Sequence, residues 1–151
     1  MSDRRRSPSG YDDFIARNPD MVFKGIEPWE PNMDLVRQVN REVNAAHKYL
    51  PDQPGKDTWG GGGYDCEDYA VEKLRRLLAA GVPRGAMRFA LGTRRGRQHI
   101  MLTVNGVLLD NLTDRMYPMI MKDAATHVES DDGWLEVTKP MGLSDLIMGK
   151  K

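Results

Sequence analysis

At 151 residues the chain is long enough to bury one substantial core and too short for two. Its 22 basic residues balance its 22 acidic ones, so charge gives no reason to expect nucleic acid, and no apolar run approaches membrane-spanning length. The single cysteine, Cys66, excludes an internal disulfide and a multi-thiolate zinc site.

The first residues, Met1 to Arg6, carry positive charge with no apolar segment behind them. That pattern reads as a chain without a secretory leader, and the expectation is a cytoplasmic or virion-associated location, or exit from the cell by another route. Residues 1–10 are polar and arginine-rich, an arm that a protein partner would have to order. Segment 11–31 contains Pro19, Pro28 and Pro31 and reads as an extended lead-in anchored by Phe14, Phe23 and Trp29. The expected layout is an arm and lead-in over 1–28, a domain over 29–140 and a tail over 141–151.

From Met33 to about Tyr49, Val36, Val39, Val43 and Ala46 recur at helical spacing, with Asn32 as N-cap and Pro51 as the stop. Asn40 and Asn44 lie one turn apart on that helix, as a solvated stripe or facing a site. A loop over 51–63 ends in Trp59 and four glycines, Gly60 to Gly63. A second helix runs from Cys66 to about Ala80, with Cys66, Tyr69, Ala70, Leu74, Leu77 and Leu78 on one face. Asp65 and Asp68 have capping-box spacing, and Gly81 with Pro83 ends the helix.

The period then changes to two. Met87, Phe89 and Leu91 alternate, Arg94 to Arg97 turns, and a strand spans about Gln98–Val104. Asn105-Gly106 predicts a hairpin whose return strand runs from Val107 to Asp110. Residues 111–130 carry little pattern, and a last strand falls near Trp134–Val137. Helices followed by an antiparallel sheet make an α+β domain.

Cys66 opens a helix, where free N–H groups and the positive end of the macrodipole favour a thiolate. It also fits a buried apolar position, and both readings can hold where helix meets sheet. A two-residue turn at Asn105-Gly106 pairs Val104 with Val107, Leu102 with Leu109 and Met101 with Asp110. His99 then shares a face with Asp110 on a diagonal, within reach of a hydrogen bond. Ile100, Leu102, Val104 and Leu109 fall on the other, apolar face. Cys66, His99 and Asp110 are therefore nucleophile, base and orienting carboxylate. His47 and His127 read as structural or exposed. Against easy activation, Asp65, Glu67 and Asp68 surround the thiol with negative charge. A divalent cation, with Ca²⁺ suited to carboxylates, would offset it.

Tyr64-Asp-Cys-Glu-Asp-Tyr-Ala-Val-Glu-Lys73, His99-Ile-Met-Leu102 and Leu108-Leu-Asp-Asn-Leu112 resemble the three motifs of the bacterial transglutaminase-like cysteine proteinases, the LapG-type group. Val39-Asn40, Val43-Asn44 and Asp57-Thr-Trp59 are similar to that family's preceding helix and loop, so the likeness spans about 29–120. It implies a papain/transglutaminase-like fold, N-terminal helices packed on an antiparallel sheet, and a Cys66–His99–Asp110 triad forming a thioacyl-enzyme. It also implies calcium held by Asp65 and Glu67. Trp59, Gly63, Tyr64 and Asn111 are the candidates around the oxyanion and substrate, and a protein or peptide is the expected substrate. Departures are Tyr64, where the family usually has glycine, and a short, glycine-rich loop. LapG-type members release surface adhesins in the periplasm, a role that a leaderless chain would not share. The alternative is a structural or binding protein that keeps the fold, such as a phage virion component.

Overall fold

The computed structural model describes residues 4–5, 7–47, 59, 65–94, 97–118, 125–131 and 133–137. Within these lie three α-helices, α1 (Tyr11–Arg17), α2 (Met33–Ala46) and α3 (Cys66–Ala79). The strands are β1 (Arg4–Arg5), β2 (Met87–Arg94), β3 (Arg97–Val104), β4 (Val107–Leu109), β5 (Tyr117–Pro118), β6 (His127–Ser130) and β7 (Gly133–Glu136). They form one antiparallel sheet in the order β1-β7-β6-β2-β3-β4-β5. Helix α3 lies on β3, and α2 packs on α3. The fold is α+β, as the residue pattern led one to expect.

Both long helices start where the sequence places them. The Asn32 side chain accepts from the Leu35 N–H at 3.2 Å at the head of α2. At the head of α3, Asp65 and Asp68 form a capping box, with the Asp65 N–H donating to Asp68 Oδ2 at 3.1 Å. The chain leaves α3 at Gly81, and the Val82 N–H returns to Leu77 O at 3.0 Å. Residues 48–58, including the expected stop at Pro51, lie outside the described residues.

The hairpin register is the predicted one: Leu102 faces Leu109, Thr103 faces Leu108 and Val104 faces Val107. Asn105 and Gly106 have φ of 50° and 79°, the paired positive values of a tight hairpin turn that suits Asn-Gly. The ladder ends at Leu109, so Asp110 is the first residue beyond the strand rather than a partner of Met101. Register decides what each face buries. Phe89, Leu91, Ile100, Leu102, Val104 and Leu109 face the helices and join Val36, Val43, Leu74 and Leu77 in the main core. Ala90, Met101, Leu108 and Val128 form a smaller cluster on the other face.

The amino-terminal segment departs from the expectation of an arm and extended lead-in. Residues 11–17 are helical because Tyr11 and Phe14 find aromatic partners, not because the segment has strong propensity. Phe14 is fully buried against Trp59 and Phe89, and Tyr11 meets Trp59, Phe89 and Trp134 edge-on. The Tyr11 hydroxyl donates to Glu129. Glu129 is also held by two bonds from Arg84 Nη2, at 2.8 and 2.9 Å, and by the Phe89 N–H at 3.1 Å. Arg4 and Arg5 pair with Leu135 and Trp134, so that part of the arm is taken up by the chain's own β7. The tail at 141–151 lies outside the described residues.

Candidate active site

Cys66 is the first residue of α3 and is 8% exposed. Its Sγ accepts from the Ile100 N–H at 3.3 Å, which ties the head of α3 to β3, and it donates to Glu67 Oε2 at 3.2 Å. Glu67 was the one acidic neighbour that capping left unexplained; it is the acceptor of the thiol proton. Burial pushes the Cys66 thiol well above the ordinary range, and the Glu67 charge pushes it the same way. The Ile100 N–H acts in the opposite sense but is outweighed. The side chain is therefore a neutral thiol at neutral pH.

His99 precedes Ile100 on β3. Its Nε2 lies 2.7 Å from Asp110 Oδ1, and both residues are buried. A carboxylate accepts, so this contact assigns the ring proton to Nε2 and leaves Nδ1 as the acceptor nitrogen. The Leu112 N–H also donates to Asp110 Oδ1, at 3.2 Å.

The Asp110 loop is gripped from behind by both long helices. Lys73 Nζ donates to Asp110 O at 3.1 Å and Asn44 Nδ2 donates to the same oxygen at 3.0 Å. Asn44 Nδ2 also reaches Thr113 O at 3.2 Å and Asp114 Oδ1 at 3.0 Å, and Asn40 Nδ2 reaches Asp114 O at 3.1 Å. Of the two readings of Asn40 and Asn44, the loop-facing one holds. Lys73 was missed by sequence reasoning. Its signal was position: seven residues after Cys66, it falls in the apolar stripe of α3, where a lysine needs a reason.

The remaining candidates are placed differently. The Trp59 indole is fully buried among Tyr11, Phe14 and Phe89, and its Nε1 donates to Ser9 O at 2.9 Å. Arg17 Nη2 donates to Trp59 O at 2.8 Å. The Trp59 side chain thus serves the core and the amino-terminal helix and is not available to touch a substrate. Gly63 and Tyr64 lie outside the described residues. Asn111 follows Asp110 and is half-buried. His47 pairs with Glu72 at 2.9 Å, and His127 sits on β6 with Nδ1 3.0 Å from Thr126 Oγ1.

Asp65 and Glu67 are buried on either side of Cys66 and offer the hard oxygen donors that calcium takes. Among the described residues, however, no three His, Cys, Asp or Glu side chains converge to hold a metal. Both carboxylates are also engaged, one in the capping box and one by the thiol. A cation would need further oxygens and a rearranged Glu67.

A cysteine at a helix head, set against a strand whose histidine bonds a carboxylate, is the arrangement on which transglutaminase-like thiol hydrolases are built. The profile of the bacterial transglutaminase-like cysteine proteinases (BTLCP) matches residues 2–129, and the chain belongs to that family. By class it is a transglutaminase-like cysteine peptidase. Among solved structures, the calcium-bound form of LapG from Legionella pneumophila superposes with a TM-score of 0.55 at 19% identity, over 95% of this chain and 91% of that one. The EGTA-treated form gives 0.56 at 20%, over 95% and 90%. A third LapG structure from that organism gives 0.56 at 21%, over 95% and 89%. These likenesses establish the fold. No curated protein sequence matches the chain.

Proposed function

We propose that the protein cleaves peptide bonds through a Cys66–His99–Asp110 triad. The observation that carries this is one stretch of β3: Ile100 holds Cys66 Sγ through its N–H, and the preceding residue, His99, is bonded to Asp110. Two consecutive residues thus link the thiol to the dyad. In the reaction His99 Nδ1 takes the thiol proton as Sγ attacks the substrate carbonyl, with the Cys66 amide receiving the oxyanion. The proton passes to the leaving amine, which departs and leaves a thioester on Cys66. His99 then deprotonates a water, which releases the acid product and restores the thiol.

Asp65 and Glu67 are proposed as two of the oxygen donors for a calcium ion. Support comes from the charge beside the thiol and from the calcium-bound form of LapG. Bound there, the ion would offset the negative charge that holds Cys66 protonated.

The test is incubation of the protein with labelled casein and rapid acid quench, in calcium and in EGTA, followed by intact-mass measurement. A peptide-sized adduct on Cys66, absent from Cys66→Ala, supports the triad. Casein cleavage that survives Cys66→Ala overturns it. The buried, neutral thiol favours a second reading, a binding protein that keeps the fold; it calls for no cleavage and no adduct under either condition.

A further inference from the structure

We infer that Lys73 and Asn44 are positioning residues that hold the Asp110 carboxylate on His99 by clamping the Asp110 main-chain carbonyl from two helices. Asp110 lies just past the end of β4. Its carbonyl oxygen is a point on which Lys73 Nζ and Asn44 Nδ2 converge, at 3.1 and 3.0 Å. A carbonyl oxygen has two lone pairs, and two donors from different directions define its position far better than one. Asn44 ties the following residues as well, through Thr113 O and Asp114 Oδ1.

Two features mark the clamp as more than ordinary packing. Lys73 is 1% exposed, and burial pulls its ammonium down to about 8, an effect that the charges of Asp110 and Asp114 only partly oppose. A buried lysine is costly, and a methionine of similar length would fill the space without that cost. In Asn40 and Asn44, moreover, only the amide nitrogen is used: both Oδ1 atoms are buried and carry no hydrogen bond among the described residues. Three polar side chains are thus spent on donating to one five-residue loop, and that loop carries the carboxylate of the dyad.

The kinetic arm of the test rests on the peptidase reading, and the spectroscopic arm does not. Lys73→Met and Asn44→Ala would be compared with the parent by ¹⁵N–¹H correlation of the histidine rings and by casein hydrolysis. In the parent, His99 is expected in the Nε2–H tautomer enforced by Asp110. In both variants the His99 signals should move toward a mixed-tautomer average, while those of His47 and His127 stay fixed. The kcat should fall about 10- to 100-fold with KM little changed. Lys73→Arg, which keeps a donor, should recover part of the loss. Parent-like His99 signals in folded Lys73→Met and Asn44→Ala would overturn the inference. So would a loss confined to KM. Should Lys73→Met not fold, Asn44→Ala, which leaves no cavity in the apolar core, decides alone. If the parent cleaves nothing, the peptidase reading fails while the ring signals still decide the clamp.

Discussion

The Cys66 thiol donates a hydrogen bond to the carboxylate of its own neighbour, Glu67 Oε2, at 3.2 Å. Burial of the sulfur, and after it the charge of Glu67, keeps the thiol protonated. Replacing Glu67 by Gln keeps the shape and removes the charge. In EGTA at pH 7.5, iodoacetamide should label Cys66 of the parent more slowly than free cysteine. The Glu67→Gln variant should label faster, by roughly tenfold for each pKa unit recovered. Equal rates for the two proteins would show that burial alone holds the proton.

Asp110→Asn is the sharpest probe of the dyad. The amide still offers Oδ1 to the Leu112 N–H, so the loop should keep its shape and the melting temperature should change little. Against His99 Nε2, however, the neutral amide no longer stabilises the imidazolium that forms in the reaction. Turnover should fall by about 10³-fold or more, by analogy with carboxylate-to-amide changes in hydrolytic triads. Retention of more than about a tenth of parental kcat would mean that the 2.7 Å contact is structural.

The Lys73 ammonium makes stability depend on pH in a defined window. Burial lowers its pKa from the usual 10.5 to about 8, so between these values the unfolded chain holds a proton that the folded one has released. Stability therefore rises with pH across that window by this contribution. Below about 8 both states are protonated and the penalty for burying the charge is present in full. The parent should gain roughly 1–3 kcal/mol relative to Lys73→Met between pH 8 and 10.5. Chemical denaturation of both proteins over that range reads it directly. A constant difference would mean that Lys73 titrates at its ordinary value.

Gly85 lies where two pieces of backbone meet. Its carbonyl accepts from the Glu27 N–H at 3.0 Å, and its N–H donates to Glu27 Oε1 at 2.9 Å. A methyl group there would fall 2.4 Å from Gly25 O and 2.5 Å from Glu27 N, both backbone atoms that cannot swing aside. Gly85→Ala should cost about 2–4 kcal/mol, measured by urea denaturation, while spared activity per folded molecule identifies the loss as one of stability. A cost under about 1 kcal/mol would show that the segment around Glu27 yields easily.

Much of the site was legible because it depends on short-range rules. Helix-head chemistry located Cys66, and a two-residue turn fixed which side of β3 carries His99 and how far Asp110 lies from it. What escaped notice rests on long-range contacts. The helix at Tyr11–Arg17 has seven residues, too few to form on propensity, and its reason is an aromatic cluster with Trp59 and Trp134. Strand β1 has two residues and exists only because β7 offers an edge. Strand β6 has four residues in a stretch whose pattern is broken by Glu129, a charge buried for its partners Arg84 and Tyr11. The burial of Lys73 depends on its contact with the Asp110 loop, 37 residues away, which no local pattern carries.

The pairing of β1 with β7 has a consequence for how the protein comes into being. Arg4 and Leu135 are neighbours in the sheet, and Tyr11 meets Glu129, so β1 and α1 cannot settle until β6 and β7 have been made. Trp59 is buried against that same helix, seven residues before Cys66. A chain emerging from the ribosome therefore completes the aromatic seat beside Cys66 only once β7 is free to close the sheet.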